Sequence, residues 1–172
     1  MTDNLRKLIL SGGGLGYLPL APGTWASLAP CAAFCLLAWA VGGGQAGAIG
    51  SGELLVAAAM VALAVLSGLA CVVLGQFAER AFGKKDSRRC VIDEYAGQAV
   101  TLVGLPLWAG GSLVLPPAVA FLAFRAMDII KPPPGRRLER LPFGWGVLLD
   151  DVVAGVYANV LCQLILRVGL HA

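Results

Sequence analysis

The sequence predicts an all-α protein that crosses a membrane several times, with about four or five hydrophobic helices and a polar site at one membrane face. Three observations predict it. Only 13% of the residues are charged, against roughly a quarter in a soluble domain. Residues 8–52, 54–78 and 95–124 carry no charge at all. The charges that exist are gathered: nine lie in residues 79–94 and nine in 125–151, leaving only Asp3, Arg6, Lys7, Glu53 and Arg167. A water-soluble chain of this composition would lack the polar surface to cover its core. At 172 residues the chain reads as a single domain spanning 1–172.

Taken in order, the N-terminal run after Arg6 and Lys7 is broken by Ser11-Gly12-Gly13-Gly14, so no secretory leader is expected. A first apolar helix is predicted over residues 27–41, ended by Gly42-Gly43-Gly44 and the Gly-Ser stretch to Gly52. A second is predicted over 53–77, rich in Ala, Val and Leu. The polar segment 79–93 follows. Residues 95–124 suit two short helices, with Pro106, Gly110-Gly111 and Pro116-Pro117 marking a turn between them. Lys131-Pro132-Pro133-Pro134 stops the second, because a helix cannot continue through prolines. A last apolar helix is predicted over 147–168. The basic groups Arg6/Lys7, Lys84/Lys85/Arg88/Arg89 and Arg136/Arg137/Arg140 then fall on one side. Positive loops stay in the cytoplasm, so that side is expected to be cytoplasmic.

The five cysteines, Cys31, Cys35, Cys71, Cys90 and Cys162, fit neither a disulfide framework nor a zinc site and read as small hydrophobes, with Cys90 the most exposed. A net charge of +3 gives no reason to expect nucleic acid. The expected partners are membrane lipids.

The carboxylates carry the chemistry. Asp93-Glu94 and Asp150-Asp151 are adjacent pairs, with Asp86 and Asp128 nearby in their segments. Asp150-Asp151 precede the apolar run 152–156, where an uncompensated carboxylate is costly unless paired or metal-bound. An oxygen-rich set without His or Cys suits magnesium or calcium rather than zinc; the alternative is helix caps and ion pairs. The lone His171 lies beside the C-terminus and is given no role. Arg125, Asp128 and Lys131 recur every three residues on one helix face. They form either an ion ladder or a set in which Arg125 and Lys131 meet a phosphate while Asp128 meets a metal. The loop from Gly12 to Ser27 has glycines that allow close approach to an anion, and Thr24 is the expected N-cap, where a helix start favours phosphate.

These pieces in this order resemble the phosphatidylglycerophosphatase A family. The matching stretches are Leu18-Pro19-Leu20-Ala21-Pro22-Gly23-Thr24 with Ser27, and Val91-Ile92-Asp93-Glu94 with Gly97 and Thr101. The others are Phe124-Arg125 through Asp128 to Lys131-Pro132, and Gly144 through Asp150-Asp151 to Ala154-Gly155. The resemblance implies a magnesium-dependent enzyme of the bacterial inner membrane, its site facing the cytoplasm, that hydrolyses phosphatidylglycerol phosphate to phosphatidylglycerol. It implies that Asp93, Glu94, Asp128, Asp150 and Asp151 serve the metal, and that Arg125 and Lys131, with Gly23 and Thr24, hold the phosphate. Asp150, Asp151, Arg125 and Lys131 would be catalytic, and Asp86 is a further candidate. The sequence departs from the family in its histidines and in a slightly shorter segment before the Asp-Asp pair. Members often carry His before the glycines that precede the Asp-Asp pair and near Asp86, where this chain has Pro142-Phe143-Gly144-Trp145-Gly146 and Lys84, Lys85, Arg88 and Arg89. A metal-bound water or a carboxylic acid would replace a histidine acid. The rival readings are a phosphatase for another lipid phosphate, a small cation transporter, because acids within membranes also mark ion paths, and a non-catalytic membrane subunit.

Overall fold

Apolar runs without charge become helices because a backbone in lipid must satisfy its own hydrogen bonds. The computed structural model describes residues 1–42, 51–84 and 87–169, and its elements are all helical. They are α1 (Asp3–Leu10), a 3-10 turn (Leu15–Tyr17), α2 (Pro22–Gly42), α3 (Ser51–Phe82), α4 (Ile92–Leu102), α5 (Leu115–Ile130), α6 (Gly135–Leu138) and α7 (Gly144–Leu164), which runs into a π turn (Ile165–Gly169). Among the described residues α2, α3 and α7 are long and apolar enough to span a membrane. The 11 residues of α4 and 16 of α5 reach only roughly 16 and 24 Å at 1.5 Å per residue, short of the ~30 Å hydrocarbon core. The two short helices expected within 95–124 are thus present, joined by residues 103–114.

Three boundaries differ from expectation. Helix α2 starts at Pro22, since proline suits the first turn of a helix, and Ala21 rather than Thr24 occupies the cap: its carbonyl accepts from the Thr24 amide at 2.9 Å. Helix α3 runs on to Phe82 and stops at Gly83 with φ of 74°. Helix α7 starts at Gly144 rather than at residue 147, so Asp150 and Asp151 lie about two turns into it. Of the glycine-rich connection after Gly42, residues 43–50 lie outside the described part.

Helix α4 sits at the centre, packed by α2, α3, α5 and α7. Phe34, Met60, Leu102, Phe124 and Ala158 form one core around it, and Leu10, Cys71, Ala96 and Leu148 a second toward the polar end. The five cysteines are free, and Cys31, Cys71 and Cys162 are buried as small hydrophobes. Leu54, Val65, Val73, Val156 and Val160 point outward from the long helices, as lipid-facing residues do. Exposed Trp25 and Trp145 stand near the starts of α2 and α7, and Trp39 near the end of α2, the two levels at which a bilayer holds tryptophan.

The N-terminal segment is tied to the polar end. The Val91 amide donates to Leu10 O at 2.9 Å, the Tyr95 hydroxyl donates to Gly12 O at 3.0 Å, and the Arg6 guanidinium lies 5.2 Å over the Phe77 ring. Burial raises the Tyr95 phenol, which keeps that donor protonated. The basic groups predicted to share a side therefore share one end of the bundle; Lys85 is outside the described residues. At the opposite end the short α4 finishes among other helices, and α7 supplies its caps. Asn159 Nδ2 donates to Thr101 O and Val103 O, both at 2.8 Å, and Gln163 Nε2 to Gly104 O at 2.9 Å. Arg167 adds a bond to Gly104 O at 2.9 Å.

Candidate active site

The site begins with a crossing of α4 and α7. A Cβ on Gly155 would collide with Gly97 O, and one on Gly97 would stand 2.6 Å from the Phe124 ring and 2.7 Å from Asp151 O, so only glycine permits this approach. Asp93 lies one turn before Gly97, and Asp151 one turn before Gly155. The crossing therefore delivers both carboxylates to the same end. They are 4% and 6% exposed, and Asp150 is 6% exposed. Asp93 and Glu94 occupy the first turn of α4, where the helix dipole favours anions. Asp151 feels the charges of Asp93, Asp128, Glu94 and Asp150 together. Its Oδ2 is buried with no hydrogen-bond partner among the described residues.

Two cations divide the remaining acids. Arg125 Nη1 lies 3.1 Å from Glu94 Oε2 and 3.1 Å from Asp128 Oδ2. The Ser27 hydroxyl, 3.1 Å from Glu94 Oε2 and 2.9 Å from Gly23 O, fixes the same carboxylate. Gly23 leaves room for it, since a Cβ there would strike the Glu94 carboxyl. Of the two readings of the Arg125, Asp128 and Lys131 stripe, the ion ladder exists only as Arg125–Asp128. Lys131 leaves it, because the chain turns left-handed at that residue, with φ of 51°, as α5 ends. Its Nζ reaches Asp150 Oδ2 at 2.6 Å and Glu139 Oε1 at 3.2 Å. Burial works to lower the Lys131 ammonium, but the hydrogen bond and charge of Asp150, with those of Glu139, outweigh it and raise it above the usual lysine value.

These groups line one open pocket of about 380 Å³. Asp93, Glu94, Arg125, Asp128, Lys131, Asp150, Asp151 and Gly23 all face it, so eight of the residues singled out from sequence come together. Thr24 does not line it. Asp86 lies outside the described residues. The Gly12–Gly16 stretch packs against Tyr95 and Arg89 instead. Sequence reasoning assigned no role to Glu139, Ser87 or Arg88 on the pocket wall, nor to Ser27 behind it. The legible signal for Arg88 was its place in the basic run before Asp93.

Among the described residues no three His, Cys, Asp or Glu side chains are grouped as a ready-made metal cage. The donor chemistry nonetheless fits a hard divalent cation. It is all oxygen, and the unanswered Asp151 Oδ2 sits where positive charge would offset several acids. Magnesium commonly takes only one or two carboxylates from a protein and the rest of its shell from phosphate and water.

The family profile of phosphatidylglycerophosphatase A matches residues 8–166, which include every site residue above. The chain belongs to the phosphatidylglycerophosphatase A family. Membership makes it a phosphatase and decides against the transport and non-catalytic readings. Individual curated proteins are similar along most of the chain. A Haemophilus influenzae protein named phosphatidylglycerophosphatase A is 31% identical over 162 residues, covering 91% of this chain and 86% of that protein. Its Escherichia coli namesake is 30% identical over 163 residues, covering 90% and 79%. A Bacteroides thetaiotaomicron protein, named provisionally as a phosphatidylinositol-3-phosphatase, is 31% identical over 169 residues, covering 91% of each chain. No solved structure matches the chain.

Proposed function

We propose that this enzyme removes the terminal phosphate of phosphatidylglycerol phosphate, yielding phosphatidylglycerol and inorganic phosphate, with magnesium as cofactor and at the cytoplasmic face of a bacterial inner membrane. The observation that carries the reading is the buried, unanswered oxygen of Asp151 within a ring of acids and bases, in a chain of this family. Asp93 and Asp151 would hold the cation, which when bound supplies positive charge to the phosphate oxygens and lowers the pKa of water. Arg125, Lys131 and Arg88 face the same pocket and neutralise the phosphate as charge develops on its oxygens. Asp150, held by Lys131, takes the proton of the attacking water. As the phosphorus–oxygen bond to glycerol breaks, that proton passes to the glycerol oxygen. The acyl chains stay in the bilayer, and only the headgroup enters.

The test is phosphate release from phosphatidylglycerol phosphate by detergent-purified protein, with and without magnesium, for wild type and Asp151→Asn. Magnesium-dependent release abolished by the substitution is expected. Phosphatidylinositol 3-phosphate is assayed in parallel, because one relative's name points to it. Faster release from that lipid would move the assignment within the phosphatases, and no release from any lipid phosphate by folded protein would overturn it.

A further inference from the structure

A second pocket of about 500 Å³ adjoins the first and shares Lys131 as a wall. It is framed by Ile130, the proline run 132–134, Arg136 and Arg137. The frame is fixed in place: the Tyr157 hydroxyl of α7 donates to Pro133 O at 2.9 Å, and Arg136 Nη2 donates to Ile130 O at 3.2 Å. The Arg137 guanidinium makes no ion pair among the described residues. The pocket thus offers apolar walls with two guanidinium groups, one of them uncommitted. Such walls suit the glycerol and first acyl carbons of a lipid, and guanidinium suits phosphate.

We infer that this pocket binds the phosphodiester of the lipid substrate, with Arg136 and Arg137 reading the diester while the first pocket takes the phosphate to be cleaved. The inference rests on the lipid-phosphatase reading above and extends it. Phosphatidylglycerol phosphate carries two phosphates, a terminal monoester and a diester that joins the headgroup to diacylglycerol. Two adjoining pockets with cations in each, meeting at Lys131, match two phosphates separated by a short polyol. Phosphatidylinositol 3-phosphate has the same diester and differs in the polyol. The second pocket would therefore recognise what the lipids named for the relatives have in common.

The experiment uses full-length protein in mixed micelles of constant surface charge. Three quantities are measured: KM for phosphatidylglycerol phosphate, Ki for phosphatidylglycerol, which keeps the diester but lacks the monoester, and Ki for inorganic phosphate, which fits the monoester site alone. For Arg136→Gln/Arg137→Gln, KM and the phosphatidylglycerol Ki should each rise about tenfold, the loss of a charged hydrogen bond, with kcat and the phosphate Ki within about twofold. Arg137→Gln alone removes no side-chain hydrogen bond among the described residues and should show the same pattern at smaller size, which separates recognition from folding. Arg140→Gln, exposed in the same basic segment but outside the pocket lining, should change nothing. Unchanged KM and phosphatidylglycerol Ki in the double variant would overturn the subsite and leave the activity standing. So would an equal loss in Arg140→Gln, which would mean general attraction to an anionic surface. Absence of phosphate release from wild type would instead overturn the parent reading, and the subsite with it.

Discussion

One turn toward the polar end from the Gly97–Gly155 crossing stand Asp93 and Asp151; one turn the other way stand Thr101 and Asn159. Both pairs are polar groups placed in a hydrophobic bundle by the same two helices. On the Thr101 side the groups are answered. Thr101 Oγ1 is shared between Gly97 O at 3.0 Å and Gly155 O at 3.3 Å, and Asn159 closes the carbonyls at the end of α4. On the aspartate side Asp151 Oδ2 has no answer among the described residues. A buried polar atom without a partner costs stability, so it persists where a ligand completes it. The comparison separates a cap that holds the fold from a site held open for something the fold does not contain.

Substitutions sharpen that contrast. The largest effect on activity is expected from Asp151→Asn: turnover falls by roughly a thousandfold or more if one cation-stabilised charge is lost. Its thermal midpoint should hold or rise, because one of several crowded negative charges is gone; circular dichroism melting in detergent checks it, and a marked fall would make Asp151 a structural residue. Gly155→Val should damage both ends at once. Its side chain meets Gly97 O, and parting α4 from α7 should cost about 1–3 kcal/mol and most of the activity. Asn159→Leu inverts the first case. It strips the cap from the α4 carbonyls and should cost about 1–3 kcal/mol, while kcat in the variant that remains folded stays within a few-fold; lost turnover without lost stability would break the distinction between the ends. The smallest effect concerns pH. Because the Lys131 ammonium is raised, the stabilisation it gives is complete below the ordinary lysine pKa and is lost only as pH climbs through the raised value. The stability difference between wild type and Lys131→Met should thus be flat across roughly pH 6–9, and a slope there would sink the assignment.

Much of this was legible in the residues. Charge-free runs showed the long helices, prolines and glycines divided 95–124 into two short ones, and the carboxylates and cations that line the pocket stood out against an apolar chain. What sequence did not reveal was pairing. Helical spacing put Arg125, Asp128 and Lys131 on one face and the proline run stopped the helix there, but neither showed that Lys131 turns left-handed and reaches Asp150. Nor did it show that Arg125 would reach Glu94 on another helix. Thr24 has the chemistry of a cap, yet Pro22 starts the helix earlier. Asn159 and Gln163 drew no reading from sequence, because their partners are backbone carbonyls in the 101–104 segment. One signal was present: Asp93-Gly97-Thr101 and Asp151-Gly155-Asn159 step by four residues in both helices, a shared register that two sequences of a crossing pair must keep.

That shared register makes chain length itself a constraint. Each residue added to an α-helix turns everything before it by about 100° relative to everything after it. A single insertion between Asp93 and Gly97 would swing the acid off the α7 side while leaving Thr101 and its cap in place, and a deletion would swing it the other way. The same holds between Asp151 and Gly155. The exposed Gly110-Gly111 turn, between α4 and α5 and outside any helix, carries no such phase. Length variation should therefore be tolerated at that turn and forbidden in the two four-residue intervals, even when the inserted residue is alanine and changes no chemistry at all.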